Sequence, residues 1–512
     1  MSEVSGFQYS LAIIAVAMIP SFGVMAQPLS LSELQRLSQP VNAALMQRYE
    51  SNPAAMLFRD SVSLSSFAIS GEYDRQDKPV MEQLGDGSDL LGVSAGSYTR
   101  LGAERVVWGN ASFVTGTYRS VRWTDCIDYN RVAPYVLGDE AGGDLSTRSY
   151  RFSGGYACGF SRWTVGVHAA YRAEIAYRNR DPRVKTVVSD IDIALGGGYT
   201  VNDHSVIGLN AGVNIYNQNC DLDFYNPLNE INTYTLTGMG TYYRRFMGNA
   251  NKNSGYSSFG YNIGFQWLPV SGQGFAATIG YTGYRMEQQL RNYNNLTLGY
   301  TGNDIIDLGI SYRLQFGGGI MIQPTIDGNM FRRKGTENIF GSSAGSSYDR
   351  IGSSSPYRFE SSHFGLSFPV RFEKGNSSMT LTPDIAYESE KESYADPLRR
   401  LGASHVISGF DADFSAISGK SWLWNLSAGV SYAKADPKEE ILTDLEPDTP
   451  LGQCVLSNYS MLKADRTAFN VSAGISRPVM NFIVSLRVAY RLTDYIGEGL
   501  RHGAAVTLAA EF

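Results

Sequence analysis

One run of residues matches a catalytic motif: 341–345, Gly-Ser-Ser-Ala-Gly, has the G-x-S-x-G spacing of hydrolase nucleophiles. That chemistry needs a strand before the serine and a helix after it, with a histidine placed to activate the exposed hydroxyl. Here the run lies in a Gly/Ser-rich stretch, 341–355, and none of the five histidines lies in a catalytic pattern. We therefore predict that the protein is not an enzyme, with no catalytic residue and no cofactor.

Cysteine thiols are the next groups that could do chemistry, by binding a metal ion or by forming disulfides. The sequence contains four of them, Cys126, Cys158, Cys220 and Cys454. They lack the short ligand spacings of zinc sites. Cys158 is expected to face outward, whereas the other three lie in predicted loops, where an oxidising compartment would allow a disulfide. Cys126–Cys220 and Cys220–Cys454 are the favoured pairs, and four unpaired cysteines are the alternative.

Two acidic stretches offer oxygen ligands of the kind that Ca²⁺ prefers. They span residues 221–230 and 436–448. Neither stretch has the ligand spacing of an EF-hand loop. We interpret both as solvated loops, and with the cysteine spacing this leads us to predict no metal site in the chain.

Charged side chains at every second position of apolar segments form a further group. Between Arg162 and Arg178 the odd positions are apolar or aromatic, and the even positions carry the charges. With the two-residue period of a β-strand, the two sets lie on opposite faces of a sheet. The polar face suits a water-filled interior, where facing arginines and carboxylates would orient a polar solute. The candidates for interior positions are Arg162, His168, Arg172, Glu174, Arg313, Arg371, Asp411, Asp413, Arg487 and Arg491.

The alternating segments are too long for the strands of a soluble sandwich. Residues 162–178 alternate throughout, whereas globular strands average about 5–6 residues. Tilted membrane strands that continue past the bilayer reach this length, and we count about 18 such segments, with 14–16 or 20 as alternatives. The predicted fold is all-β, an antiparallel transmembrane β-barrel with short turns at one rim. Long loops are expected at the other rim, at 122–146, 218–255, 334–354, 390–402 and 435–461.

The composition agrees with this fold and excludes several others. Of 512 residues, 18% are charged and the formal net charge is −6, while glycine (54) and tyrosine (32) are abundant. A basic nucleic-acid binder and a disordered acidic chain are therefore excluded. The mean hydropathy of −0.19 excludes a bundle of membrane helices, each of which needs about 20 apolar residues. We attribute the low value to averaging over one polar and one apolar strand face.

Two N-terminal segments precede the predicted barrel at 61–512. Residues 1–26 have the apolar core and small-residue cleavage site of a signal peptide, although no Lys or Arg precedes that core. Residues 27–60 do not alternate, and their leucines recur at helical spacing. We predict a short helical plug or hatch for this segment, with a simple periplasmic tether as the alternative.

The two ends of the predicted barrel carry resemblances to known outer-membrane proteins. The final alternating strand ends in Phe512, which resembles the assembly signal of bacterial outer-membrane barrels. Before the first strand, Asn52-Pro53-Ala54-Ala55-Met56 resembles the barrel entry of the long-chain fatty-acid transporter (FadL-type) family. That family usually has glycine where Ala55 stands, and the resemblance implies a hatch that folds into the lumen. As a whole, the chain resembles large outer-membrane barrels of Bacteroidota that have no assigned activity.

These features predict a protein of the Gram-negative outer membrane, surrounded by its lipids and inserted by the barrel-assembly machinery. The expected function is a porin-like channel or transporter for a small or hydrophobic solute. The alternative is a non-conducting barrel that acts as a structural partner of other outer-membrane proteins in an uptake or secretion complex. The mixed-sign interior agrees with either function, because its charges could guide a solute or form a cross-lumen salt-bridge network.

Overall fold

The alternating segments form one closed antiparallel β-barrel of 18 strands in a computed structural model that describes residues 29–226, 228, 231–248, 250, 252–344, 347–419 and 421–512. The strands are Leu64–Gln76 (β1), Gly87–Arg100 (β2), Arg105–Val121 (β3), Gly143–Phe160 (β4), Trp163–Tyr177 (β5), Arg183–Asn202 (β6), Ser205–Asp223 (β7), Lys252–Pro269 (β8), Gly274–Leu290 (β9), Leu296–Phe316 (β10), Ile320–Ile322 with Thr325–Ala344 (β11), Ser347–Ser367 with Val370–Lys374 (β12), Ser377–Tyr394 (β13), Arg399–Ser418 (β14), Trp422–Leu442 (β15), Arg466–Val479 (β16), Phe482–Tyr495 (β17) and Gly499–Glu511 (β18). This confirms the predicted fold class and strand count. The predicted signal peptide, 1–26, lies outside the described residues.

Each strand follows the two-residue period of its sequence, so the barrel wall has an apolar outer face and a polar inner face. Large apolar side chains on the outer face are exposed, and some are more than half exposed, for example Leu195 (62%), Leu209 (60%) and Phe259 (58%). A continuous exposed apolar surface of this kind needs an apolar environment. The strands β11 and β12 are each interrupted beside a proline, Pro324 and Pro369, because proline has no N–H group for the ladder.

The first and last strands close the barrel. Strands β1 and β18 pair from Ser66 opposite Glu511 to Gln76 opposite Arg501. Phe512 lies just past β18, and its backbone exchanges two hydrogen bonds with Ser65, N–H to O at 2.9 and 2.7 Å. The C-terminal residue thus completes the seam, so that neither β1 nor β18 is left with an open edge.

The two rims differ, though less simply than the sequence indicated. The turn rim, where β4 meets β5 and β8 meets β9, has only short connections. At the loop rim the connections 122–142, 224–251 and 443–465 are long, close to three of the predicted loops. The predicted loops at 334–354 and 390–402 are wrong in most of their length, because strands β11 to β14 extend into them. Glycine and serine hide the alternation in 341–355, where β11 continues to Ala344 and β12 begins at Ser347.

A plug segment, residues 29–60, precedes β1 and lies at the turn rim. It contains helix α1 (Leu31–Leu37), helix α2 (Pro40–Glu50) and a 3-10 turn at Pro53–Phe58. A capping box between Ser30 and Glu33 begins α1, since the Ser30 hydroxyl accepts from the N3 amide and the Glu33 carboxylate accepts from the Ser30 amide. Proline at the first position begins α2. Within the described residues, no helix is long and apolar enough to cross a membrane.

Two neighbouring alanines in the middle of β5 provide a direct test of the two faces of the wall. Ala169 is exposed on the outer face, whereas Ala170 points inward and pairs with Asp192 across β6. We expect Ala169→Arg to lower the free energy of unfolding by about 2–4 kcal/mol in lipid bilayers, as for arginine on a lipid-facing position, and Ala170→Arg by less than about 1 kcal/mol. Denaturant unfolding in vesicles, followed by tryptophan fluorescence, measures both values. Equal losses in the two variants would contradict the assignment of faces.

A lumen chamber between a plug and a loop cap as the candidate functional site

The plug is held against the barrel wall at a patch of three glycines. Asn52 is fully buried, and its side chain accepts from the Ala54 amide (2.9 Å), which begins the 3-10 turn. The turn lies flat on the inner face of strands β5, β6 and β7, at Gly166, Gly196 and Gly208. A Cβ on any of these glycines would stand 2.0 to 2.6 Å from atoms of Asn52 or Pro53. The Asn-Pro-Ala element is therefore seated in a groove that exists only because these positions lack side chains.

Further hydrogen bonds join the plug to strands all around the turn rim. Arg313 on β10 donates to the Val41 carbonyl (2.9 Å), so this predicted lumen charge holds the plug. On the opposite side, Gln35 donates to the Ser415 hydroxyl of β14 (3.0 Å). The hydroxyl of Tyr98 on β2 donates to the carbonyl of Met56 (2.9 Å). These contacts place residues 29–60 inside the turn rim as a folded plug.

A loop cap, formed by residues 122–142, 231–248 and 443–465, folds into the opposite end of the barrel. Its strand Val136–Asp139 pairs with Thr233–Gly238 of the second loop, and the third loop contributes helix α4 (Pro450–Leu462), numbered after the short α3 at Tyr129–Val132. Trp123 of the cap is 1% exposed and packs against inner-wall side chains of β6 to β9. The cap therefore has a hydrophobic core that it shares with the wall.

Ion pairs and hydrogen bonds fasten the cap loop 122–142 to strands β5 to β7. Arg172 forms ion pairs with Asp128 of the cap and with Glu174 (3.1 Å) on its own strand. Arg131 of the cap reaches Asp190 on β6 (2.9 Å). The pair between Arg178 and Asp139 (2.6 Å) is almost fully buried. On this side of the lumen the mixed charges are consumed in a network that holds the cap.

The cap loop also holds a group of polar side chains close to the cysteine of β7. Cys126 lies beside Cys220, which points inward from a strand rather than lying in a loop as predicted. Burial raises the pKa of the Asp125 carboxyl and raises the pKa of the Cys126 thiol well above its ordinary value. Cys158 faces outward from β4, and Cys454 lies in α4. All four thiols are free in this structure.

A chamber of about 930 Å³ remains in the lumen on the side of strands β14 to β18 and β1. It extends from Pro40 of the plug to Met81 and Leu84 of the β1–β2 loop. A smaller cavity of about 320 Å³ adjoins it beside the plug, and the two share lining residues that include Asp413 and Arg487. Charged groups, serines and an asparagine line the wall side of the chamber, whereas Met81, Leu84 and other apolar residues line its end at the β1–β2 loop, so the wall side is the polar one.

One row of inward-facing residues crosses the wall of this chamber through six neighbouring strands. Ladder pairs connect its members directly, and in order they are Asp411, Gly429, Asn470, Arg491, Gly503 and Asp74. At about 4.8 Å between strands, Arg491 lies about 14 Å from Asp411 and about 10 Å from Asp74 along the wall. Among the described residues Arg491 forms an ion pair with neither aspartate, and Asp74 pairs instead with Arg501.

The arginines of the chamber and those beside the cap differ in whether they form ion pairs. Among the described residues, Arg487 and Arg491 have no carboxylate within ion-pair distance, and the Arg487 guanidinium donates only to the Ser472 hydroxyl (3.3 Å). Asp413 accepts a hydrogen bond from Ser427 (2.6 Å). The sequence left open a salt-bridge network or free charges in the lumen, and the structure has both: the network lies beside the cap, whereas the chamber combines, in the ranges that the structure describes, unpaired arginines with one ion pair of its own.

Three of the residues that were predicted to line the interior do not line the chamber. Arg162 lies in the exposed turn between β4 and β5, so it is not part of the inner wall. The His168 ring points inward and stacks on Trp108, with ring centroids 6.3 Å apart. Arg371 lies on β12 near the turn rim and pairs with Glu373 (2.6 Å).

Several residues of the site were not found from the sequence. The phase of β1 identifies Glu72 as inward-facing and, when the alternation is followed past Tyr73, Asp74 as well. The same phase on β18 places Arg501 inward, where it pairs with Asp74 (3.1 Å). No sequence signal identifies Asp128 as lumen-filling, because it lies in an irregular loop without alternation.

Comparison with known proteins gives a family match and several distant structural likenesses. The model of a family of unknown function, DUF6850, matches residues 53–512. No curated protein matches the chain. The family match begins at Pro53, inside the docked Asn-Pro-Ala element, and so includes the 3-10 turn of the plug together with the complete barrel.

The structural likenesses are to barrels of low sequence identity. The ferric preacinetobactin receptor BauA from Acinetobacter baumannii is 9% identical over 87% of this chain and 80% of its own, with a TM-score of 0.35. The FrpB iron transporter from Neisseria meningitidis is 8% identical over 87% and 81%, with a TM-score of 0.37. The CymD monoaromatic hydrocarbon channel is 10% identical over 91% and 92%, with a TM-score of 0.31. With such low scores, no property of these proteins is transferred to this chain.

Two glycines at the level of the plug test how the Asn-Pro-Ala element is docked. A Cβ at Gly166 would stand 2.4 Å from the Pro53 carbonyl carbon, whereas Gly197 has nothing within 4 Å. Overpacking typically costs about 1–3 kcal/mol, so Gly166→Ala should speed tryptic cleavage after Arg48 and Arg59 in the folded barrel by about 5- to 100-fold. Mass spectrometry of timed digests measures the rates, and Gly197→Ala is the matched control. Cleavage unchanged in Gly166→Ala would contradict the glycine-patch docking.

Proposed function

We propose that this chain, which belongs to the DUF6850 family, is an outer-membrane β-barrel that admits a small polar solute to its lumen and passes it when plug or cap moves. The observation that carries the proposal is the polar chamber between the plug and the loop cap. Its free arginines and carboxylates lie on a wall that is otherwise continuous and closed. The earlier expectation of a small or hydrophobic solute is narrowed to a polar one, because serine, asparagine and charged groups line the chamber.

Three features support the outer membrane as the compartment. The outer face of the closed wall is apolar and exposed over many strands. Barrels of this construction satisfy every backbone hydrogen bond within the sheet, which is what a lipid surrounding demands. The sequence adds a predicted signal peptide at 1–26 and the terminal Phe512 at the barrel seam. Its proposed surroundings are the lipids of that membrane, after insertion by the barrel-assembly machinery.

The chemistry of the chamber favours a solute that carries both signs of charge or many hydrogen-bonding groups. Arg487 and Arg491 offer guanidinium groups that no carboxylate neutralises in the described part of the chain. Asp411 and Asp413 stand on strand β14, which β15 and β16 separate from β17, so charges of the two signs face the cavity from different parts of its wall. Such an arrangement orients polar solutes inside a pore. A zwitterion or a small acid with hydroxyl groups could contact both signs, because the arginine and aspartate side chains extend into the lumen from backbone positions about 14 Å apart.

Passage requires a movement, because the plug closes the turn rim beneath the chamber. Three small apolar clusters join the plug to the wall, for example Leu34 with Leu423. Dispersed hydrogen bonds of Gln35, Tyr98 and Arg313 supplement them. Displacing α1 and α2 breaks these hydrogen bonds, each worth about 0.5–1.5 kcal/mol net, and exposes the apolar clusters, but it leaves every ladder pair of the barrel in place. We propose that the plug is the part that yields, and that the cap, with its buried core, stays in place.

Single-channel recording in planar bilayers tests conduction. We expect the intact protein to open rarely and a variant lacking residues 29–58 to give larger and longer openings, because the deletion removes the plug but leaves β1 complete. Reproducible openings in either protein would support a pore. Silence in both proteins, with correct folding shown by slower or faster gel migration before boiling, would contradict it.

Ion selectivity tests the role of the chamber charges. In the plug-deleted background, the double variant Arg487→Ala/Arg491→Ala should shift the reversal potential under a salt gradient toward that of the cation. Asp411→Asn/Asp413→Asn should shift it toward that of the anion, because the uncompensated charges then have the opposite sign. The control is Arg332→Ala, which removes an exposed arginine on the outer surface that pairs with Glu360 (3.5 Å). Identical selectivity in all three variants would exclude the chamber from the conduction path.

A second function, a non-conducting barrel that acts as a structural partner of other outer-membrane proteins, is favoured by one specific observation. The cap fills one end of the lumen with a hydrophobic core around Trp123, and the ion pair between Arg178 and Asp139 is almost fully buried. A lumen filled in this way suits a rigid barrel that presents a binding surface to a partner as well as a barrel that opens and closes. Silence of the intact and plug-deleted proteins in bilayers, together with co-purification of the same outer-membrane protein by both, would favour this function.

A further inference from the structure

Three ligand-type side chains meet beneath the cap, at a place that the proposed passage of a solute does not use. One carboxylate oxygen of Asp125, the Cys126 sulfur and the Cys220 sulfur all lie within 4.8 Å of one another. The three residues are 1%, 2% and 0% exposed, respectively. Asp125 and Cys126 belong to the cap loop, whereas Cys220 projects from strand β7 of the wall. No metal-type spacing is visible in the sequence, because 93 residues lie between Cys126 and Cys220.

The carboxylate of this cluster is buried without a positive partner. Asp125 accepts hydrogen bonds from the Ser254 hydroxyl, the Tyr256 hydroxyl (3.0 Å) and the Cys126 thiol (3.1 Å), all of them neutral donors. In the parts of the chain that the structure describes, no arginine, lysine or histidine forms an ion pair with it. Burying an ionised carboxylate without a cation is costly. The cluster is therefore short of positive charge.

Groups around the cluster are arranged to orient ligands. Ser254 and Tyr256 hold Asp125 from β8, and the Thr186 hydroxyl (3.0 Å) and the Gln218 amide (3.3 Å) contact the Cys220 sulfur. Hydrogen bonds of this kind to the side chains that bind the metal recur in metal centres, where they fix the position of each ligand. An apolar shell that includes Trp123, Val136, Val188 and Met286 closes the site to bulk water.

We propose that Asp125, Cys126 and Cys220 bind a divalent cation of the borderline-soft class, with Zn²⁺ as the best match. Two sulfur ligands and one carboxylate oxygen suit Zn²⁺, and a fourth position is open to the Gln218 side chain or to one water. Binding is balanced by the loss of two thiol protons, one from each cysteine, because thiolates are the ligands. The cation supplies the positive charge that Asp125 lacks and ties the cap loop to the wall.

Formation of a disulfide between Cys126 and Cys220 is the reaction of the two thiols that would compete with metal binding. The disulfide would form by loss of two protons and two electrons to a thiol–disulfide exchange partner of an oxidising compartment. That bond would consume the thiol that donates to Asp125 and would leave the buried carboxylate without a cation. The position of Asp125, and the two hydroxyl groups that orient it, are explained by a metal ion and not by a disulfide.

Metal analysis of the full-length protein tests this site. The barrel is extracted from membranes in detergent without chelator, incubated with ZnCl₂, dialysed and analysed for bound metal by mass spectrometry. We expect about one Zn²⁺ per chain, with Cys126→Ser and Asp125→Asn binding little or none. Cys158→Ser, which removes the outward-facing thiol, is the matched control and should retain the ion. Tyr256→Phe removes one orienting hydrogen bond and should weaken Zn²⁺ binding by about 10- to 100-fold.

Thiol counting on the same samples separates the possible outcomes. In the zinc-loaded protein, Cys126 and Cys220 should become reactive to an alkylating reagent after denaturation with a chelator and without any reductant. Thiols that react only after reduction would show the disulfide and would overturn the proposal, and so would free thiols in a protein that binds no Zn²⁺. Should a variant fail to give the folded, heat-modifiable band, wild-type zinc content before and after chelator treatment still decides the question. Conduction is measured separately, so failure of the metal site leaves the proposed function standing.

Discussion

The rest of this structure depends on the pairing of backbone amides and carbonyls in a wall without edges. An apolar surrounding offers no partner to an unpaired backbone group, so a sheet that spans it must close on itself. The β1–β18 seam, completed by the hydrogen bonds between Ser65 and Phe512, provides that closure. Closure in turn requires a strict inner and outer face on each strand, since every side chain must point either to the apolar surround or to the lumen. The alternation in the sequence is the direct consequence.

A closed wall of 18 strands creates a second problem, because side chains of the wall alone cannot fill a lumen of this width. Two segments that are not part of the wall solve it, the plug from the turn rim and the cap from the loop rim. Glycines make room for the plug, since Gly166, Gly196 and Gly208 leave the groove in which Asn52 and Pro53 lie. The cap instead brings its own hydrophobic core into the barrel. The volume that neither segment occupies is the chamber.

The limits of sequence-based prediction follow from the same geometry. Periodicity identifies the wall, and it placed Arg172, Glu174, Arg487 and Arg491 on inward phases that the structure reproduces. Periodicity fails where the position of a side chain depends on more than the strand face to which it belongs. Arg162 has the correct parity but lies in a turn, beyond the last ladder pair of β5.

Lumen-filling loops have no periodicity, so the cap was predicted only as loop sequence. The contacts of Asp128 with Arg172 and with Tyr216 (2.8 Å), like the approach of Cys126 to Cys220, depend on the path of an irregular chain.

The two sides of the lumen differ in whether their arginines form ion pairs. Carboxylates of the cap loop neutralise Arg172 and Arg178, whereas Arg487 and Arg491 face solvent. Breaking the buried Arg178–Asp139 pair would strand a charge at a cost of about 3–5 kcal/mol. Solvated chamber arginines can exchange water for a solute without that cost. The cap side is therefore built to stay closed, and the chamber side is where a solute can be exchanged.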